Sequence, residues 1–254
     1  MYDFENEMLA HFGAIKNEIG QRSPEWFEAR RGCFTGSKIK NLMSCNQSAS
    51  KMEWGRVEKI LSIGEAAKKY IYTKARERQT GKVIETASTL SMKYGTENEG
   101  EIKEVFLATN SNFSIEECDF IKLNTYLGAS PDGLATDLKT GEKLAVEIKA
   151  NTSFDSEYYR EIEAFDQSHM DFWQVQTEMM VLKVEKCLYI TAEPSESIFS
   201  PKIEAVNYQI VKNSPIHQNA IYHRARLGNS IIEKFLSGMD FYDAIERAQI
   251  EFEA

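Results

Sequence analysis

Apolar residues return at every second position at Leu144, Val146 and Ile148, just after the turn signal Thr140-Gly141. The stretch LATDLKTGEKLAVEIKA therefore reads as a strand, a tight turn and a returning strand. Neighbouring strand residues point to opposite faces, so Ile148 enters the apolar layer while Glu147 and Lys149 share the other face. Phe113 to Ile121 reads as an earlier strand. Cys187 to Ile190 is apolar enough to be central, and Val206 to Val211 alternates as an edge strand does. Helical spacing marks a segment from about Trp54 to Arg78, with Val57, Ile60, Leu61, Ala67 and Ile71 in one seam. It also marks Ile102, Val105 and Phe106; residues 170 to 183, with a stripe of Phe172, Val175, Met179 and Leu182; Pro215 to Gly238; and Phe241 to Phe252. A mixed sheet thus follows a helical amino end and precedes two closing helices, an α/β chain with α+β-like segregation.

With 254 residues, 42% hydrophobic, and no repeat or low-complexity linker, residues 1–254 are expected to form one domain around a sizeable core. Its expected parts are a mainly helical 1–90, a core at 91–212 and carboxyl-terminal helices at 213–254. The four cysteines show no C-x-x-C spacing and only four histidines are present, so zinc is not expected and reduced thiols in a cytosol are. Neither a signal-like amino end nor an eighteen-residue apolar run occurs, which argues against secretion and membrane spanning.

The chemistry gathers at Ser130-Pro131-Asp132-Gly133 and Glu147-Ile148-Lys149. Asp132, at the start of the hairpin, could close the cleft that Glu147 and Lys149 flank. Two hard oxygen ligands suit Mg²⁺ or Mn²⁺, and a lysine beside them can orient an attacking water or stabilise charge on a phosphoryl oxygen. The plainer alternative is a surface hairpin with a Glu/Lys pair, because S-P-D-G is also an ordinary turn. Upstream, Glu99 lies three residues before Ile102 on the inward helical face, whereas Glu97, Glu101 and Glu104 face solvent. An inward carboxylate needs a metal or Lys149 as partner, unless Glu99 merely complements the dipole of a frayed first turn. Gly95, one turn earlier, would let another backbone approach.

Near the amino end, Ser23-Pro24-Glu25 reads as a helix cap with proline at the first position, and Trp26 and Arg30 follow one turn apart. Thr35-Gly36-Ser37 reads as a second helix start. Arg30 and such hydroxyls form an anion site, or else Trp26 is core, Arg30 lies over it and Ser37 is only a cap. Of the two glutamines in the helix at 170–183, Gln176 lies near the buried stripe and Gln174 points largely away from it. The net charge of −9 opposes a nucleic-acid partner, since phosphate-binding surfaces are positive. A local run of Lys68, Lys69, Lys74, Arg76, Arg78 and Lys82, with Tyr70 and Tyr72 between them, leaves two readings: a DNA-facing track, or a solvated helix with aromatic packing.

The succession Trp26-x3-Arg30-x-Gly32-x2-Thr35-x-Ser37, Gly95-x3-Glu99, Ser130-Pro-Asp132-Gly, Glu147-Ile-Lys149 and Trp173-Gln174-Val-Gln176 resembles the lambda-exonuclease or YqaJ-like group of the PD-(D/E)xK nuclease superfamily, over about residues 22 to 192. The resemblance implies a restriction-endonuclease-like core, a central mixed sheet flanked by helices, and a Mg²⁺-dependent 5'-to-3' exonuclease on double-stranded DNA. Such enzymes release 5' mononucleotides and leave 3' overhangs, and Mn²⁺ is expected to substitute. It also implies Asp132, Glu147 and the Ile148 carbonyl as metal ligands, Glu99 for a second ion, and Lys149 to position or help deprotonate water. Arg30, Ser37 and Ser130 would hold a terminal 5'-phosphate, with Gln174 lining the same pocket. The expected partners are duplex ends, two further copies in a ring-shaped homotrimer, and a phage single-strand annealing protein. The expected setting is the bacterial cytoplasm, with the chain encoded by a phage or prophage. In place of the Cys-Pro and basic residue that often follow E-x-K, this chain has Ala150-Asn151-Thr152, and Arg160 could supply the charge only if its loop folds back. A structure-selective or nicking endonuclease built on the same residues is the main alternative, and an acidic DNA mimic that kept a nuclease fold is the non-enzymatic one.

Overall fold

The computed structural model describes residues 23–84, 90–150, 165–194 and 203–253. The first helix, α1 (Pro24–Arg30), starts where Ser23 accepts the Trp26 N–H at 3.1 Å and Pro24 needs no backbone partner. There follow β1 (Phe34–Thr35), α2 (Ile39–Leu42), α3 (Val57–Leu61), α4 (Glu65–Thr80) and α5 (Leu90–Thr109). The strands β2 (Phe113–Glu116), β3 (Ile121–Lys122), β4 (Leu127–Ala129), β5 (Gly133–Asp137) and β6 (Lys143–Ala150) come next. Then come α6 (Phe172–Leu182), β7 (Lys186–Pro194), β8 (Ile203–Lys212), α7 (Pro215–Leu236) and α8 (Phe241–Glu253).

Five strands form one sheet in the order β2-β5-β6-β7-β8, antiparallel except for the parallel β6–β7 pair. The hairpin closes through Gly141 at φ 74, whose N–H donates to the Asp137 carbonyl at 2.7 Å. In β6 the expected alternation holds. Leu144, Val146 and Ile148 pack with Leu188, Ile190 and α5 residues Ile102 and Phe106, whereas Ala145 on the other face meets Val175 and Met179 of α6. A second sheet, β1-β4-β3, joins the amino-terminal region to the strand that leads into Ser130. A larger apolar cluster runs from Phe34 through α4 to α7 and α8, where Ala244 and Ala248 are buried, so the closing helix docks on the body.

Three expectations change. The helix from Trp54 to Arg78 is interrupted at Ser62–Gly64, giving α3 and α4. A Cβ on Gly64 would lie 2.5 Å from Ser44 Oγ and 2.9 Å from the Cys45 carbonyl, so the chain bends where only glycine fits. Phe113 to Ile121 is two strands, β2 pairing with β5 and β3 with β4, because three acids, Glu116, Glu117 and Asp119, separate its two apolar ends. Gly95 admits no close backbone, since a Cβ there would meet nothing within 4 Å among the described residues.

The α3–α4 bend is held by Arg224 of α7, which is fully buried. It donates to the Lys59 carbonyl at 2.7 Å and the Ser62 carbonyl at 2.9 Å. Charged donors to buried carbonyls are hard to replace. Replacing Arg224 with Met keeps the stem and removes both donors; it is expected to cost about 3 kcal/mol in denaturant unfolding. A change under about 0.5 kcal/mol would reject this role for Arg224.

Candidate active site

Because Ile148 faces the α5 layer, Glu147 and Lys149 meet α6 on the other side. Lys149 Nζ lies 2.5 Å from Glu147 Oε1 and 3.5 Å from Asp171 Oδ1. Gln174 Nε2 donates to Glu147 Oε1 at 2.6 Å and to Glu178 Oε1 at 2.9 Å, while Gln174 Oε1 accepts weakly from Lys149 at 3.4 Å. Tyr189 OH donates to Asp171 Oδ2 at 2.8 Å, which fixes the second carboxylate beside the lysine. Asp132 enters from the hairpin: its N–H donates to the Val146 carbonyl at 2.9 Å, and its Oδ2 accepts the Ile148 N–H at 2.7 Å.

Electrostatically the site is acidic. Asp132 is pushed well above the ordinary carboxylate range by burial first, then by Glu147 and Glu99, against the Ile148 N–H and Lys149. Glu99 is half-buried on α5 and so acts on Asp132 from the far layer of the sheet. Glu178 is likewise pushed well above its usual range, by burial and then by Glu147. Burial alone would lower the Lys149 pKa, but Glu147 and Asp171 outweigh it and hold the ammonium well above its usual value.

A second cluster, built around Arg30, stands beside this one. The Arg30 guanidinium lies 3.8 Å from the centre of the Trp26 ring and donates to Ser130 Oγ at 3.1 Å and to Ser37 Oγ at 3.3 Å. The Trp26 indole N–H donates to the same Ser130 Oγ at 3.0 Å. Burial lowers the arginine pKa to about 10, which leaves it cationic at neutral pH. The Trp26–Arg30 stack is present, and it leaves the guanidinium directed at the Ser37 and Ser130 hydroxyls. Gly36 and Ser37 belong to a single 3₁₀ turn, shorter than the helix expected there.

The structure therefore brings Asp132, Glu147, Lys149 and, electrostatically, Glu99 together, and unites Arg30, Ser37 and Ser130. The Gln174 side chain joins the Glu147–Lys149 cluster, its amide hydrogens directed to two carboxylates. Sequence reasoning missed Glu178, although it lies four residues after Gln174 and so on the same helix edge. It also missed Asp171 and Tyr189, which no local pattern joins to Lys149. Arg160 lies outside the described residues.

Among the described residues, no three His, Cys, Asp or Glu side chains converge closely enough to hold a metal ion alone. The donor set nevertheless fits a divalent ion whose shell is completed by backbone, water or substrate oxygens. Asp132 and Glu147 repel each other across a buried gap, and Glu147 Oε2 is buried without a hydrogen bond. An added cation would relieve both conditions.

Residues 25–185 match the family model of the YqaJ-like viral recombinase domain. Among solved structures, the chain is similar to the alkaline exonuclease LHK-Exo from Laribacter hongkongensis, solved in complex with dAMP; the two are 18% identical, with 90% of this chain and 100% of that one covered and a TM-score of 0.64. It is also similar to a phage related exonuclease from Haemophilus somnus 129PT, at 13% identity over 82% of this chain and 96% of that one, with a TM-score of 0.63. At these identities the likeness carries the fold. No curated protein matches the chain.

Carboxyls with raised folded-state pKa values keep protons that the unfolded chain has already lost, so stability falls as pH rises above the ordinary carboxylate range. In EDTA, Asp132 and Glu178 are expected to contribute a decline in melting temperature from about pH 4 upward. Glu178→Gln should flatten part of that decline; an identical slope in the variant would show that Glu178 does not contribute to it.

Proposed function

The chain belongs to the YqaJ-like viral recombinase family, and from that premise we propose that it is a divalent-metal-dependent exonuclease that degrades double-stranded DNA from 5' ends. The products of this reading are 5' mononucleotides and 3' single-stranded overhangs. The observation that supports it is the junction Ser130-Pro131-Asp132, which ties the Arg30–Ser37–Ser130 cluster to the Asp132–Glu147–Lys149 cluster.

Asp132, Glu147 and the Ile148 carbonyl would hold Mg²⁺, or Mn²⁺ in its place, with Glu99 nearest for a second ion. The bound ion would supply Lewis-acid stabilisation of the phosphoryl oxygens. Lys149, held cationic by Glu147 and Asp171, orients the attacking water and stabilises charge that builds on the phosphate. Gln174 fixes the Glu147 carboxylate through its amide. Arg30, Ser37, Ser130 and the Trp26 indole present four donors or hydroxyls to a terminal 5'-phosphate. The ring-shaped trimer and the annealing partner belong to the same proposal.

The test is digestion of matched linear and covalently closed duplexes in Mg²⁺. Wild type should release mononucleotides only from the linear form, and Lys149→Ala should lose at least about 100-fold in rate. Cleavage of the closed circle would reassign the site to an endonuclease, and an unchanged rate in the variant would reject the mechanism. With 5'-phosphate and 5'-hydroxyl ends compared side by side, Arg30→Ala should lower the preference for phosphate by about tenfold or more. An unchanged preference would reject the pocket assignment.

A further inference from the structure

The segment 31–35 follows Arg30 and leads to Ser37; β4 pairs with its Phe34 and Thr35, and one face of α4 holds Gly32 and Thr35. Positions 70, 74, 77 and 78 share that face by helical spacing. Glu77 Oε2 accepts the Gly32 N–H at 2.7 Å, and the same oxygen accepts from Lys74 Nζ at 2.9 Å. Glu77 is 1% exposed and Lys74 8%, so the pair is enclosed. Arg78 Nε donates to the Gly32 carbonyl at 2.9 Å, and its Nη1 donates to Asn229 Oδ1 at 2.7 Å. Both backbone groups of Gly32 are therefore held by adjacent residues of one helix. Three residues on, Tyr70 OH accepts the Thr35 N–H at 2.9 Å, and the Tyr70 ring packs edge-on against Phe34 at 5.5 Å.

Gly32 can serve this clamp only as glycine. It stands at φ +68, and a Cβ would lie 2.5 Å from Arg78 Cγ. An enclosed Glu–Lys pair and guanidinium need partners for their remaining hydrogen-bonding atoms, and Gly32 supplies one to Glu77 and one to Arg78. What the clamp fixes is the span between Arg30 and Ser37, which meet at 3.3 Å.

We propose that Tyr70, Glu77 and Arg78 are positioning residues of the anion pocket, and that by fixing the 31–35 loop they set its selectivity for a 5'-phosphorylated DNA end. This inference rests on the reading of that pocket given above. None of the three touches the phosphate. They act by keeping the guanidinium and the serine hydroxyl at one spacing, so the anion meets donors that need no rearrangement.

The test is binding of short blunt duplexes with 5'-phosphate or 5'-hydroxyl ends, followed by fluorescence anisotropy in EDTA, which separates the pocket from metal-dependent cleavage. Wild type should prefer the phosphate. Tyr70→Phe, which keeps the ring, and Glu77→Gln should each lower that preference about three- to tenfold while binding to 5'-hydroxyl duplex stays the same. Should Glu77→Gln fail to fold, Tyr70→Phe alone decides. A preference retained in the variants, whether or not their melting temperature falls, overturns the positioning role and leaves the pocket intact. A wild type with no preference overturns the pocket reading itself, and the inference falls with it.

Discussion

A middle strand of a sheet can carry charge only if the face that bears it is lined with partners, and β6 meets that constraint in an unusually strict form. Glu147 is 2% exposed and its salt bridge to Lys149 lies under α6. An ion pair so placed loses most of its hydration, and attraction between the two groups alone seldom makes up the loss. Gln174, Asp171, Glu178 and Tyr189 supply the remaining hydrogen bonds. The position of α6 over the sheet, the parallel β6–β7 pairing that brings Tyr189 beside Glu147, and the entry of Asp132 from the hairpin all follow from that need. Even so, among the described residues one buried carboxyl oxygen of Glu147 and one of Glu178 find no hydrogen-bond donor. On the proposed reading, a bound cation meets the remaining demand at Glu147.

Much of this was legible in local sequence because period-two and period-3.6 patterns are local properties. The alternation of Leu144, Val146 and Ile148 located β6 and assigned Glu147 and Lys149 to one face before any contact was known. The same reading placed Glu97, Glu101 and Glu104 in solvent, and all three are exposed. It erred where a long-range contact overrides local preference. The α3–α4 bend depends on Arg224, more than 160 residues away in the chain, and on a glycine lodged against Ser44 and Cys45. Asp171 and Tyr189 were invisible for the same reason, since their relation to Lys149 exists only across α6 and β7. The direction of the Gln174 amide likewise depends on Glu147 from another element. Helical spacing could exclude it from the apolar stripe but could not choose its partner.

The charge run at residues 68–82 leaves a DNA-facing track and a solvated helix both open, and the fold divides its members. Six cations within residues 68–82 suggest a surface for phosphates. Two of them serve the interior: Lys74 is buried against Glu77, and Arg78 spans Gly32 and Asn229. A third, Lys68, pairs with Glu65 at the helix start. Net charge is equally uninformative about the pocket, because Arg30 faces the pocket hydroxyls of Ser37 and Ser130 directly whatever the sum over the chain. Among the described helices none is long and apolar enough to cross a membrane.

The joint between the two sites has a further geometric consequence. Ser130 serves the anion pocket and Asp132 the acid cluster, and a chain of two residues spans at most about 7 Å between Cα atoms. Pro131 stiffens that short link by fixing its own φ, and Asp132 is anchored by bonds to Val146 and Ile148. The Arg30–Ser130 cluster therefore cannot drift away from the acid cluster without breaking the bonds of Asp132 to β6. On the proposed reading, a 5'-phosphate held by Arg30 and Ser130 places the next phosphodiester, and no distant one, within reach of Lys149. A pocket that recognises the end and a cluster that hydrolyses a bond would then count one nucleotide between them, so that product length follows from a fixed distance in the protein and not from recognition of any base.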